Sequence, residues 1–221
     1  MNCYFMIYET IELIKVFISG SPLALSLSAL VERRNILQHT LICLPSAGSL
    51  NEANSNLGFV PSAAYDGIRL AVMVFSIAVM FPMPMSSGAL YKATANLKRE
   101  LELNPFWWGP DMGFDLSNES PAASPGGVRG LQECLLWILV LGGIAAQDTP
   151  ERLWFAKCLG MLVAAMGISE WTEVQLIMSG FLWLDSACDG GGWLLWREVE
   201  HVGVVNVTND DNEYWVGLSN I

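Results

Sequence analysis

An all-α fold, an irregular array of about seven helices, is what the sequence predicts, and three observations predict it. Apolar residues recur at helical spacing in most segments. Prolines and clusters of Gly, Ser and Asn punctuate those segments rather than interrupting them. Two runs, near 65–81 and 134–146, are apolar on every face, which in a folded chain marks helices buried on all sides.

The segment 1–27 carries no assigned element: "MNCYFMIYETIELIKVF" has no basic start and places Glu9 and Glu12 where a signal peptide is apolar. Over 28–44, Leu30, Leu37, Leu41 and Leu44 fall on one side of a helix that Pro45 stops. The following "PSAGSLNEANSNLGFVPSAA" reads as a surface loop. "YDGIRLAVMVFSIAVMF" offers only Tyr65, Asp66, Arg69 and Ser76 as polar relief, and "PMPMSSG" ends it. The helix over 89–103 is amphipathic, with Leu90, Ala93, Leu97 and Leu101 inward and Lys92, Asn96 and Arg99 toward water.

Residues 104–127, rich in Pro, Gly, Ser and Asn, read as a flexible insertion pinned at one end by Trp107 and Trp108. Then comes "LLWILVLGGIAAQDTPERLWF", whose apolar stretch ends at Gln147 and Asp148. A spanning helix needs about 20 mostly apolar residues, and runs of about 10–14 are more often buried helices. Glu133 and Asp148 bracket the run and no basic cluster flanks it, so a core helix is expected. Gly142 and Gly143 inside it each cost about 1 kcal/mol relative to alanine, so a neighbour must approach closely there. That neighbour is the helix starting at Thr149-Pro150, read as an N-cap and first helical residue and running to Gly167. A further helix opens near Ser169 or Thr172, with Thr172 and Gln175 as a capping box and Val174, Ile177, Met178 and Phe181 inward. Asp189–Gly192, "DGGG", is read as its end, followed by a short helix "WLLWREV" and an acidic tail, 201–221.

Composition narrows function. With 22 acidic against 11 basic residues the net charge is −11, which repels nucleic-acid phosphate. Neither Arg33-Arg34 nor Lys98-Arg99 forms a basic stripe. The five cysteines, Cys3, Cys43, Cys134, Cys158 and Cys188, are never in C-x-x-C spacing and read as reduced, mostly buried thiols. His39 and His201, far apart, read as surface residues. Asp185 and Asp189, beside Cys188, sit one turn apart and would suit metal or acid–base work, but the glycines after them favour a helix C-terminal turn. No phosphate-cradling or nucleophile-elbow motif occurs, so no catalytic, cofactor, metal or DNA-binding residue is assigned. The nine tryptophans could line an effector pocket, with core packing as the plainer reading. The segment "DDNEYW" resembles an activation segment in composition.

Four stretches in order, "RRNILQHTLICLP", "YDGIRLAVMVFSIAVMFPMP", "LLWILVLGGIAAQDTPERLWF" and "WTEVQLIMSGFLWLDSACDGGGWLLWREV", resemble the regulatory region of fungal zinc-cluster transcription factors, the fungal-specific transcription factor domain. Together they span most of 28–200. The resemblance implies a non-enzymatic, nuclear, all-α regulatory domain that follows a two-zinc, six-cysteine DNA-binding module. That module is absent here, so the expectation is a truncated or incomplete form without direct nucleic-acid contact, and zinc is not carried over to these cysteines. Its partners are expected to be proteins of the transcription machinery or a second copy, with a small-molecule effector also admitted and no membrane. The competing reading is a small integral membrane protein spanning at 70–85 and 130–146.

Overall fold

The computed structural model describes residues 3–54, 63–82, 87–109 and 125–208. Among them nine α-helices follow one another: α1 (Cys3–Ile18), α2 (Leu27–Ile42), α3 (Ala47–Asn54), α4 (Tyr65–Phe75), α5 (Ala89–Leu103), α6 (Pro125–Ala145), α7 (Glu151–Met166), α8 (Trp171–Met178) and α9 (Asp185–Thr208). A π-helical turn, Ser76–Met80, extends α4, and a 3-10 turn, Pro105–Trp108, follows α5. The class is all-α, as the periodicity predicts, with more helices than the expected seven.

The surplus has a physical cause. α1 lies in the segment left unassigned, burying Met6, Ile7, Thr10 and Ile11, and the Thr10 hydroxyl returns to the Met6 carbonyl at 2.7 Å, removing a polar group from the core. α3 lies in the stretch read as a loop, and its starting amides are satisfied by one distant and one local acceptor. The Ala47 N–H donates to Asp66 of α4 at 3.0 Å and the Ser49 N–H to the Ser46 hydroxyl at 3.3 Å. Ser46 is a local cap signal hidden among Ser, Asn and Gly, whereas the carboxylate borrowed from α4 leaves none in the segment.

α6 is the central element, in contact with α4, α5, α7, α8 and α9. From Leu135 to Leu141 no residue is more than 3% exposed. The apolar run is therefore covered by protein on all faces, each large side chain contributing about 1.5–3 kcal/mol of burial. No single described helix is long and apolar enough to cross a membrane. α7 and α8 pass that test only as a pair, bent by 93°. The alternative spans 70–85 and 130–146 fall on α4 with its π turn and on α6.

α6 and α7 form the expected hairpin, joined through Asp148 in the left-handed region at φ 61°. Thr149 is not the cap: its hydroxyl turns back to the Ala146 carbonyl at 2.9 Å, and α7 begins one residue later. The tight reversal aims Thr149 at the unpaired carbonyls closing α6. At its far end α7 stops at Gly167, φ 68°, whose amide and that of Ile168 close on the Ala164 and Val163 carbonyls at 3.1 and 2.9 Å. The next cap also differs from the expected Thr172–Gln175 box. Glu173 accepts from the Ser169 and Glu170 amides at 2.9 and 3.2 Å, and a carboxylate in a first turn is further favoured by the helix dipole.

The largest correction concerns Asp189–Gly192. These residues do not end a helix; they lie inside α9, which opens at Asp185. A Cβ on Gly192 would come within 2.4 Å of the Trp171 ring and one on Gly191 within 2.9 Å of Ile144, so these two glycines admit α8 and α6 against α9. Glycine's helix cost of about 1 kcal/mol is offset by that packing. The segment expected as a tail is helical as far as Thr208, and the remainder, with "DDNEYW", lies outside the described residues.

Candidate functional site

The side chains singled out by sequence do not converge. His39 is exposed on the last turn of α2, with the exposed Cys43 thiol 3.9 Å away. His201 is exposed on α9, its Nδ1 2.5 Å from the Arg197 carbonyl. Asp185 and Asp189 share the opening turns of α9 rather than a C-terminal turn, and their roles are separate. Asp185 is exposed in the first turn, where the dipole favours an acid, and Asp189 accepts the Trp183 indole N–H at 2.8 Å. Among the described residues no group of three His, Cys, Asp or Glu could hold a metal.

Most of the described tryptophans are core pieces rather than pocket walls, while Trp193 is exposed. Trp107, Trp137, Trp171, Trp183 and Trp196 are buried. Trp137 donates to the Leu182 carbonyl at 3.1 Å and stacks on Phe181 at 5.9 Å, which fixes the α8–α9 connection on α6. Trp108 donates to the Leu101 carbonyl at 2.6 Å and meets Trp154 edge-on at 6.2 Å. These two contacts anchor the stretch after α5, as its sequence suggests; residues 110–124 lie outside the described residues.

Two adjacent arginines that sequence reading passed over tie three helices together. Arg33 pairs with Glu9 of α1. Arg34 donates to the Met80 carbonyl at the end of the π turn, its guanidinium 4.4 Å from the centre of the Phe81 ring. Arg152 does similar work elsewhere: nearly buried at 11% exposure, it holds Glu198 of α9 through two nitrogens, at 2.9 and 3.0 Å, and donates to the Gly143 carbonyl at 2.5 Å. Only the folded chain shows these pairings, because each joins residues distant in sequence.

Among the described side chains four cysteines are free, and three are shielded: Cys158 and Cys188 are buried and Cys134 partly so, while Cys43 is exposed. Burial in apolar surroundings pushes the thiols of Cys134 and Cys188 up from 9.0 to about 11 and that of Cys158 to about 12, the nearby Glu102 adding to the last. A brief iodoacetamide pulse at pH 8 followed by peptide mapping should find Cys43 alkylated and these three protected until the chain unfolds. Equal labelling of Cys158 would show an open core. Folded thiols that resist ionisation also set a pH window. The contribution is complete below the unfolded value near 9.0 and is lost as pH rises toward about 11. Midpoints in urea should therefore fall between pH 9 and 11.

Two grooves remain as places where something could bind. One, of about 700 Å³, lies between α7 and α9, with Pro150, Leu153, Ala156 and Leu194 as an apolar surface and Arg197 and His201 at its side. The other, of about 220 Å³, lies between α4 and α5 and is bounded by Asp66, Arg69, Leu70, Asn96, Arg99 and Glu100. Neither has a tryptophan in its wall. The polar residues of α4 were visible in the sequence as the only breaks in an apolar helix. That two of them, Asp66 and Arg69, face Asn96 and Arg99 of α5 across a groove follows from the packing of the two helices.

Comparison of the chain with protein-family models, with curated proteins and with solved structures finds no match in any of the three.

Proposed function

We propose that this chain is a helical, non-enzymatic regulatory domain of a fungal transcription factor, working in the nucleus through protein contacts or an effector-dependent change of shape. The observation that carries the reading is the order of four stretches, 33–45, 65–84, 135–155 and 171–199, which resemble the fungal-specific transcription factor domain. The acidic balance, a net charge of −11, is in keeping with a part that contacts proteins rather than phosphate.

The test is a fusion of the full chain to an unrelated DNA-binding domain above a reporter gene in a fungal cell. The reporter is expected to rise or fall relative to the DNA-binding domain alone, while the unfused chain fails to retard DNA in a gel. A fusion that is intact, nuclear and occupies its operator, yet leaves the reporter unchanged, would sink the reading.

A further inference from the structure

The groove between α4 and α5 has more hydrogen-bond donors than acceptors to meet them. Arg69 is largely buried, its side chain 16% exposed, and spends Nε on Asp66 at 2.9 Å. Its Nη1 reaches only the Met73 thioether, a weak acceptor, at 3.7 Å. Across the groove, Arg99 gives Nη2 to the Asn96 amide oxygen at 3.1 Å and has no carboxylate partner among the described residues. A guanidinium carries five donors, and its fork matches an oxyanion two bonds at a time.

Of the two carboxylates in the wall, Asp66 is engaged through both oxygens. Asp66 accepts from the Ala47 amide at 3.0 Å through one oxygen and from Arg69 through the other. Glu100, also in the wall, accepts from the Asn104 side-chain amide at 3.1 Å through Oε1 but has no cation paired with it among the described residues. Its charge opposes an anion, and the two guanidinium forks must outweigh it. From this geometry we propose that the groove is a binding site for a small oxyanion, a carboxylate or phosphate group held between the forks of Arg69 and Arg99. The volume of about 220 Å³ limits the ligand to a compact one, since ordinary small-molecule pockets run from about 300 to 1,000 Å³. Leu70 offers an apolar wall for its body. The net charge of −11 opposes any anion at long range, so the contact donors must carry the affinity. Such a site would stand whether or not the chain regulates transcription.

The experiment titrates the full chain with citrate and, separately, with inorganic phosphate, against sodium chloride at matched ionic strength, following the arginine Nε–H signals by NMR. Saturable shifts of the Arg69 and Arg99 signals with either probe are expected, and the responding probe tells carboxylate from phosphate. Arg99→Gln, at an exposed position that should not disturb folding, is expected to weaken binding roughly tenfold, the size of one lost charge-assisted contact. Arg69→Lys, which keeps the charge and loses the fork, should weaken it as well. Shifts that follow ionic strength as sodium chloride does, no saturation with either probe, or an affinity unchanged in Arg99→Gln would each overturn the site.

Discussion

Replacing Trp107 by alanine is expected to lower the stability of this chain by about 3–5 kcal/mol, as removal of a fully buried aromatic ring does. Trp107 is 0% exposed and lies over Gly67 of α4, so closely that a Cβ there would sit 2.7 Å from its Cζ2. Phe106 meets it edge-on at 5.2 Å. The ring thus fills the space between the turn after α5 and the start of α4, and alanine would leave a cavity that backbone on both sides resists closing. Its indole N–H has no acceptor among the described residues, and an unmet buried donor costs about 1–3 kcal/mol. Trp107→Phe removes that donor along with part of the ring, so it should cost well under half as much as Trp107→Ala. Urea unfolding of both variants decides the matter. A loss below 1 kcal/mol for alanine would mean that the turn is not seated on α4.

The contact between α6 and α7 should show the other kind of sensitivity. Phe155 is 0% exposed, and a Cβ on Gly142 would fall 2.3 Å from its ring. Phe155→Ala is expected to cost about 3–5 kcal/mol through the cavity it opens. Gly142→Ala should cost about 1–3 kcal/mol by overpacking, against a gain of about 1 kcal/mol from helix propensity. In a Phe155→Leu background, where the ring is gone, the same Gly142→Ala change should become neutral or stabilising. A double-mutant cycle measures this coupling directly, and strict additivity would show that the two residues do not meet.

How much of this was legible differs from residue to residue. The inward faces Leu30–Leu37–Leu41 and Leu97–Leu101 were readable because an amphipathic helix shows its period in its own sequence, and all five residues are buried. The close approach at Gly142 was readable too, since a glycine inside a helix needs a reason. Its neighbour Gly143 was half legible: the need for contact was visible, whereas the residue that fills it, Leu195 of α9, was not. Asp189–Gly192 misled because glycines read locally as a helix end, whereas Ile144 of α6 and Trp171 of α8 pack on Gly191 and Gly192. The α4–α5 groove was not legible as a site, because Arg69 shows in sequence only as a polar break in an apolar helix and Arg99 as an ordinary surface cation until two helices bring them to one opening.

By itself the sequence determined the all-α class, the burial of α6 and the α6–α7 hairpin, because these rest on period, length and composition, which act within a segment. Tertiary structure alone decided how the first amide of α3 is anchored, that α9 runs through three glycines, and which charges meet. Each of those outcomes depends on a partner supplied by another helix: Asp66 for the Ala47 amide, Trp171 for Gly192, Glu198 for Arg152. A segment's own residues carry no record of the partner that satisfies it.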